Sequence, residues 1–70
     1  MQKWEYLVAV FDEGGLLHFV NGEEWESPPA PLKFQYFEQV GEEGWELVSH
    51  QYVYEPGPLV SIATFKRPKS

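Results

Sequence analysis

The sequence predicts an α+β domain, a four-stranded antiparallel sheet with one helix on one face, in the order ββαββ. Three observations carry this. Runs of alternating apolar residues lie on both sides of a single helical pattern. Turn signals rich in glycine separate the runs within each half, as in hairpins. The stretch Gly41-Glu42-Glu43-Gly44-Trp45-Glu46-Leu47-Val48 then switches the periodicity from about 3.6 to 2. It ends the helix and begins the strand that follows.

Taken in order, Lys3 to Phe11 reads as a long strand. Trp4, Tyr6, Val8 and Val10 fall on one face, and Glu5, Leu7, Ala9 and Phe11 on the other. Two largely apolar faces are the mark of a central strand. Asp12-Glu13-Gly14-Gly15 is a hairpin signal, because glycine takes the positive φ of a tight turn at little cost. Leu16 to Val20 is the returning strand, and Asn21-Gly22 a second turn. Glu23-Glu24-Trp25-Glu26 either prolongs this hairpin irregularly or forms a short strand of its own. Pro28, Pro29 and Pro31 exclude a strand or helix interior there, and Pro31 suits the first turn of a helix.

From Leu32 to Glu43 the pattern is helical, with Phe34, Phe37, Val40 and Gly41 in one stripe. Gly44 sits where a left-handed C′ residue belongs. Gly41, lacking a side chain, is expected to let the helix approach the sheet. Trp45 to Tyr54 is the third strand, Glu55-Pro56-Gly57-Pro58 a turn, and Leu59 to Lys66 the last strand before a basic tail. Residues 1–70 form one domain.

Composition narrows the function classes. The chain has no cysteine, which removes disulfides, thiolate catalysis and cysteine-held zinc, and fits a reducing compartment. No apolar run approaches the roughly 20 residues of a membrane helix. The start of the chain lacks the basic and then apolar regions of a signal peptide, so a cytoplasmic location is expected. With 11 acidic against 5 basic residues, the net charge of −6 repels phosphate backbones and speaks against nucleic-acid binding. Lys66, Arg67 and Lys69 read as a solvated tail against that field.

His18 and His50 have no local H-x-H or H-x-x-x-H spacing, so they read as strand or surface histidines and no metal or cofactor is expected. Ser27, Ser49, Ser61 and Ser70 have no nucleophile-elbow context, and no catalytic residue is assigned.

One helix of about 12 residues spans about 18 Å and covers only part of a four-stranded sheet. Because it leads into Trp45, the covered face is expected to hold Tyr6, Val8, Val10, Trp45 and Leu47. The other face would then show Leu7, Ala9, Phe11, Val48, His50, Tyr52 and Tyr54. From these, Leu7, Phe11, His50, Tyr52 and Tyr54 are the candidate binding residues. Such a patch is large for a monomer, and burial in a homo-oligomer, most simply a two-fold dimer, is the expectation. The alternative is that the loop carrying Trp25 folds over it.

Trp4-Glu5-Tyr6, Gly41-Glu42-Glu43-Gly44-Trp45-Glu46-Leu47-Val48 and Phe65-Lys66-Arg67-Pro68, in that order, resemble the small bacterial family called domain of unknown function 4177. The resemblance spans the chain and implies a small α+β domain without an established activity. It transfers no catalytic residue. Two departures stand out: Leu7, where the family more often has a charged residue, and Glu23–Pro31, which looks like an insertion.

The reading is therefore a non-catalytic binding or regulatory module that self-associates and has no cofactor. The alternatives are a small-ligand carrier with an aromatic pocket of Phe11, Tyr52 and Tyr54 at a subunit junction, a small enzyme with an interface site, and an acidic inhibitor of another protein.

Overall fold

The structure is a computed structural model that describes residues 1–53 and 60–70. It is α+β, with one helix and a five-stranded antiparallel sheet. The strands are β1 (Trp4–Phe11), β2 (Leu17–Val20), β3 (Glu23–Glu24), β4 (Glu46–Val53) and β5 (Val60–Pro68), and the helix is α1 (Lys33–Glu42). Their order across the sheet is β3-β2-β1-β5-β4. The expected turn at Glu55-Pro56-Gly57-Pro58, the start of the last strand at Leu59, and Tyr54 lie outside the described residues.

The fifth strand corrects the expected four and the ββαββ order. Its cause is the Asn21-Gly22 turn, where φ is 51° and 84°. Two successive positive φ values fold the chain tightly back, so that Glu23 and Glu24 pair with Val20 and Phe19. Asn21 also fastens this turn to the sheet centre. Its N–H donates to the Val8 carbonyl at 2.7 Å, and its Oδ1 accepts from the Val8 N–H at 2.8 Å.

The helix begins without a serine, threonine or aspartate cap. Its first turn is instead tied to the β1–β2 turn. The Lys33 N–H donates to Gly15 O at 2.8 Å, and the Leu17 N–H to Pro31 O at 3.0 Å. Gln35 Oε1 accepts from the Leu32 N–H at 3.0 Å. Pro31 thus lies just outside the helix, before the Leu32 N-cap, and not in the first turn as expected. At the other end Gly44 has φ 91°. Its N–H donates to Gly41 O at 3.1 Å, while the Trp45 N–H donates to Val40 O at 3.0 Å. These two bonds are a Schellman motif and place Gly44 at C′, as the sequence predicts.

The covered face is the reverse of the expected one along β1. Leu7, Ala9 and Phe11 are buried under the helix with Ala63 and Phe65, against Tyr36 and Val40. Tyr6, Val8 and Val10 lie on the opposite face. Alternation alone could not choose between two apolar faces. The packing shows what did: Ala9 and Ala63 are register partners and both fully buried. Two small side chains at the centre of one face make room for a helix. Gly41 does not serve this purpose, since a Cβ there would meet open space. Phe34, expected in the buried stripe, is 64% exposed, and the stripe is Tyr36, Phe37 and Val40. Phe37 sets its ring edge-on to Phe11, Phe65 and His50, at 5.9, 5.3 and 5.7 Å between centroids.

A bulge at Val48 explains why Leu47 and His50 share a face despite their spacing. Leu47 pairs with Phe65, Ser49 with Thr64 and His50 with Ala63, so the extra residue shifts the parity. Trp25 packs against the core on the helix side and does not cross the opposite face.

The three motifs quoted above meet at one corner. Arg67 forms an ion pair with Glu5 at 2.6 Å, donates to the Glu43 carbonyl at 2.7 Å and lies 4.2 Å over the Trp45 ring. Lys66 lies 4.3 Å over the Trp4 ring. A cation at the helix C-terminus also offsets the mild penalty of Glu42 and Glu43 there.

Candidate functional site

Two features remain after the core is accounted for. The first is the sheet face away from the helix. In β1 it carries Trp4, Tyr6, Val8 and Val10, whose register partners in β5 are Pro68, Lys66, Thr64 and Ile62. Phe19 joins from β2, opposite Val10. Trp4 is 40% exposed and Tyr6 58%. Lys66 and Glu46 on this face are register partners of opposite sign at one end, and Glu24 on β3 lies beside Phe19 at the sheet edge.

The second feature is a polar pocket of about 230 Å³ on the helix side, formed by the Asp12–Gly15 turn, Lys33, Tyr52 and Ser61. Lys33 opens the helix and points its ammonium at β4. Its Nζ lies 3.2 Å from His50 Nε2 and 3.3 Å from the Tyr52 hydroxyl. The same ammonium sits 4.6 Å from the Tyr52 ring centroid and 5.9 Å from that of Phe11. Burial, and then the Lys33 charge, lowers the His50 pKa below its ordinary value. The ring is therefore neutral at pH 7, and Nε2 can accept from the ammonium.

Ser61 lies between Phe11 and Tyr52, its register partners on either side. It is 2% exposed, and among the described residues its Oγ has no hydrogen-bond partner. Asp12 organises the turn beside it. One carboxylate oxygen accepts from the Gly14 N–H at 2.9 Å and the Leu16 N–H at 3.0 Å. The turn amides are thus already satisfied and offer no anion cradle. Among the described residues no three His, Asp or Glu side chains are grouped to hold a metal ion.

The candidate residues from the sequence divide between these features and the core. Leu7 and Phe11 are core residues, 8% and 0% exposed, and cannot form an open interface in this fold. His50 and Tyr52 come together at Lys33. Tyr54 is outside the described residues. Sequence reasoning missed Trp4, Tyr6 and Val8 as the open face, because the parity of β1 was reversed. It also missed Lys33 and Ser61. The available signals were a serine inside an apolar strand and a lysine directly after the proline segment, beside a turn. No helix is long and apolar enough to cross a membrane among the described residues.

In comparisons with protein-family models, curated proteins and solved structures, nothing matches this chain.

Proposed function

We propose that this protein is a small non-catalytic binding module that self-associates, two copies packing through the open sheet face into a two-fold dimer. The observation that carries this is the exposed row Trp4, Tyr6 and Val8 on the central strand, with no element laid over it among the described residues. Water-exposed aromatic and β-branched side chains on a central strand are costly to leave uncovered.

The dimensions suit a second copy. The five strands have 8, 4, 2, 8 and 9 residues, so at about 3.4 Å per residue and about 4.8 Å between strands the face is on the order of 500 Å². Two such faces bury about 1,000 Å², the threshold of a specific interface. A two-fold axis near Val8 sets each face against its own image, which asks only that the patch be self-complementary. An aromatic and aliphatic centre with the Lys66 and Glu46 pair at one end and Glu24 at the β3 edge meets that condition. The absence of cysteine suits a cytoplasmic setting, which we include in this proposal.

Sedimentation equilibrium over a wide concentration range tests it. The native chain should sediment as a dimer, and Tyr6→Glu as a folded monomer by circular dichroism. A native chain that stays monomeric throughout would overturn the proposal and leave the face to a foreign partner.

A further inference from the structure

We propose that the pocket between the Asp12–Gly15 turn, the start of α1 and the β4–β5 pair binds a small zwitterion of amino-acid type. The carboxylate would sit on Lys33 Nζ, and the ammonium would face Asp12 and Glu13.

Lys33 is the starting point. An ammonium has three N–H donors. Two are directed at His50 Nε2 and the Tyr52 hydroxyl, both neutral. Among the described residues no carboxylate lies within ion-pair distance of it, although the chain has 11 acidic residues against 5 basic. A half-buried cation resting on neutral acceptors and aromatic rings keeps a charge and a donor for a carboxylate.

The opposite wall decides the rest. Asp12 uses one oxygen for the turn amides, and among the described residues the other accepts no hydrogen bond. Glu13 lies beside it, exposed. A plain anion would be drawn to Lys33 and repelled by two carboxylates. A plain cation would meet the reverse. A molecule with both charges satisfies both walls. The volume of about 230 Å³ equals that of about seven or eight water molecules, which suits a ligand with a similar number of heavy atoms.

The pocket lies on the helix side and the proposed dimer face on the other, so the two readings fail separately. Titration calorimetry on the full chain should use glycine, alanine, serine, β-alanine and γ-aminobutyrate, with acetate and methylamine as single-charge controls. Amide shifts at Gly14, Gly15 and Ser61 would locate any binding.

At least one amino acid should bind at least tenfold more tightly than either control. Lys33→Met should abolish that binding. Glu13→Gln should weaken it about threefold while keeping the fold, and Ser61→Ala and Tyr6→Glu should leave it unchanged. The proposal is overturned if none of the five amino acids binds, if acetate binds as well as they do, or if both pocket variants bind like the native chain.

Discussion

Replacing Ser61 by alanine should make this protein more stable, although it deletes a polar group from a half-polar site. The hydroxyl is buried and, among the described residues, makes no hydrogen bond. An unsatisfied buried donor and acceptor costs about 1–3 kcal/mol relative to its hydrated state. Alanine removes that penalty. Against it stands the space of one oxygen atom, which at about 24 cal/mol per Å³ costs a few tenths of a kcal/mol. The net gain is about 1–2 kcal/mol. For a domain of this size about 1 kcal/mol moves Tm by about 4–8 °C, so a rise of about 5 °C or more is expected. The assay is thermal unfolding followed by far-ultraviolet circular dichroism. Both proteins must be compared at equal concentration, because self-association makes Tm concentration-dependent. A Tm that falls, or that stays within a degree of the native value, would refute the reasoning: the hydroxyl would then be satisfied in solution.

Three further outcomes follow from the geometry. Gly44→Ala forces a side chain into φ 91° and should cost about 1–2 kcal/mol in urea unfolding, and an unchanged midpoint would mean the helix ends differently in solution. Arg67→Ala loses the Glu5 pair, the bond to the Glu43 carbonyl and the Trp45 stack. Because the ion pair is about one-third exposed it counts for little, and the whole change should cost about 1–2 kcal/mol, with Arg67→Lys recovering less than half. Stability should also fall on acidification through His50, whose folded pKa lies below the ordinary 6.5. The unfolded ring takes up its proton first, so this contribution is complete above about pH 6.5 and is lost as pH falls through the folded value. Urea midpoints between pH 7.5 and 5 should drop less in His50→Asn than in the native protein, and equal drops would count against the neutral ring.

Much of the architecture was legible because it is written in local chemistry. Gly44 after a helical pattern, Asn21-Gly22 and the Asp12–Gly15 turn each demand a backbone shape that few other residues adopt, and all three hold. What was not legible depends on long-range choice. Both faces of β1 are apolar, so the sequence period could not say which one the helix would take. Ala9 held the answer only once its partner was known to be Ala63. The bulge at Val48 hid the shared face of Leu47, His50 and Tyr52, because one extra residue reverses the parity of everything beyond it. Phe34 misled for a simpler reason: a first-turn phenylalanine fits an apolar stripe in sequence, yet here it lies on the flank of the helix. Lys33 and Ser61 are ordinary residues whose significance comes only from having no ionic or hydrogen-bonded partner where they lie.

Self-association could in principle use an edge of the sheet in place of its open face, and the structure discriminates between these routes. At one edge, β3 has 2 residues and is followed closely by Pro28 and Pro29, too short and too interrupted to template a partner strand. At the other, β4 offers 8 residues. Its bulge at Val48 breaks the regular spacing of the outward amides, and Glu46 places a charge near its start. Both are devices that keep edges from pairing. Among the described residues the open face has no such protection along its centre: Tyr6, Val8 and Val10 run in line on the middle strand, with Thr64 and Ile62 beside them. Tyr52→Pro, at a position whose N–H points away from β5, would block backbone pairing at the β4 edge and should therefore leave the dimer intact where Tyr6→Glu dissolves it. The opposite result in sedimentation would move the interface to the β4 edge and bring it next to Tyr52 and the pocket.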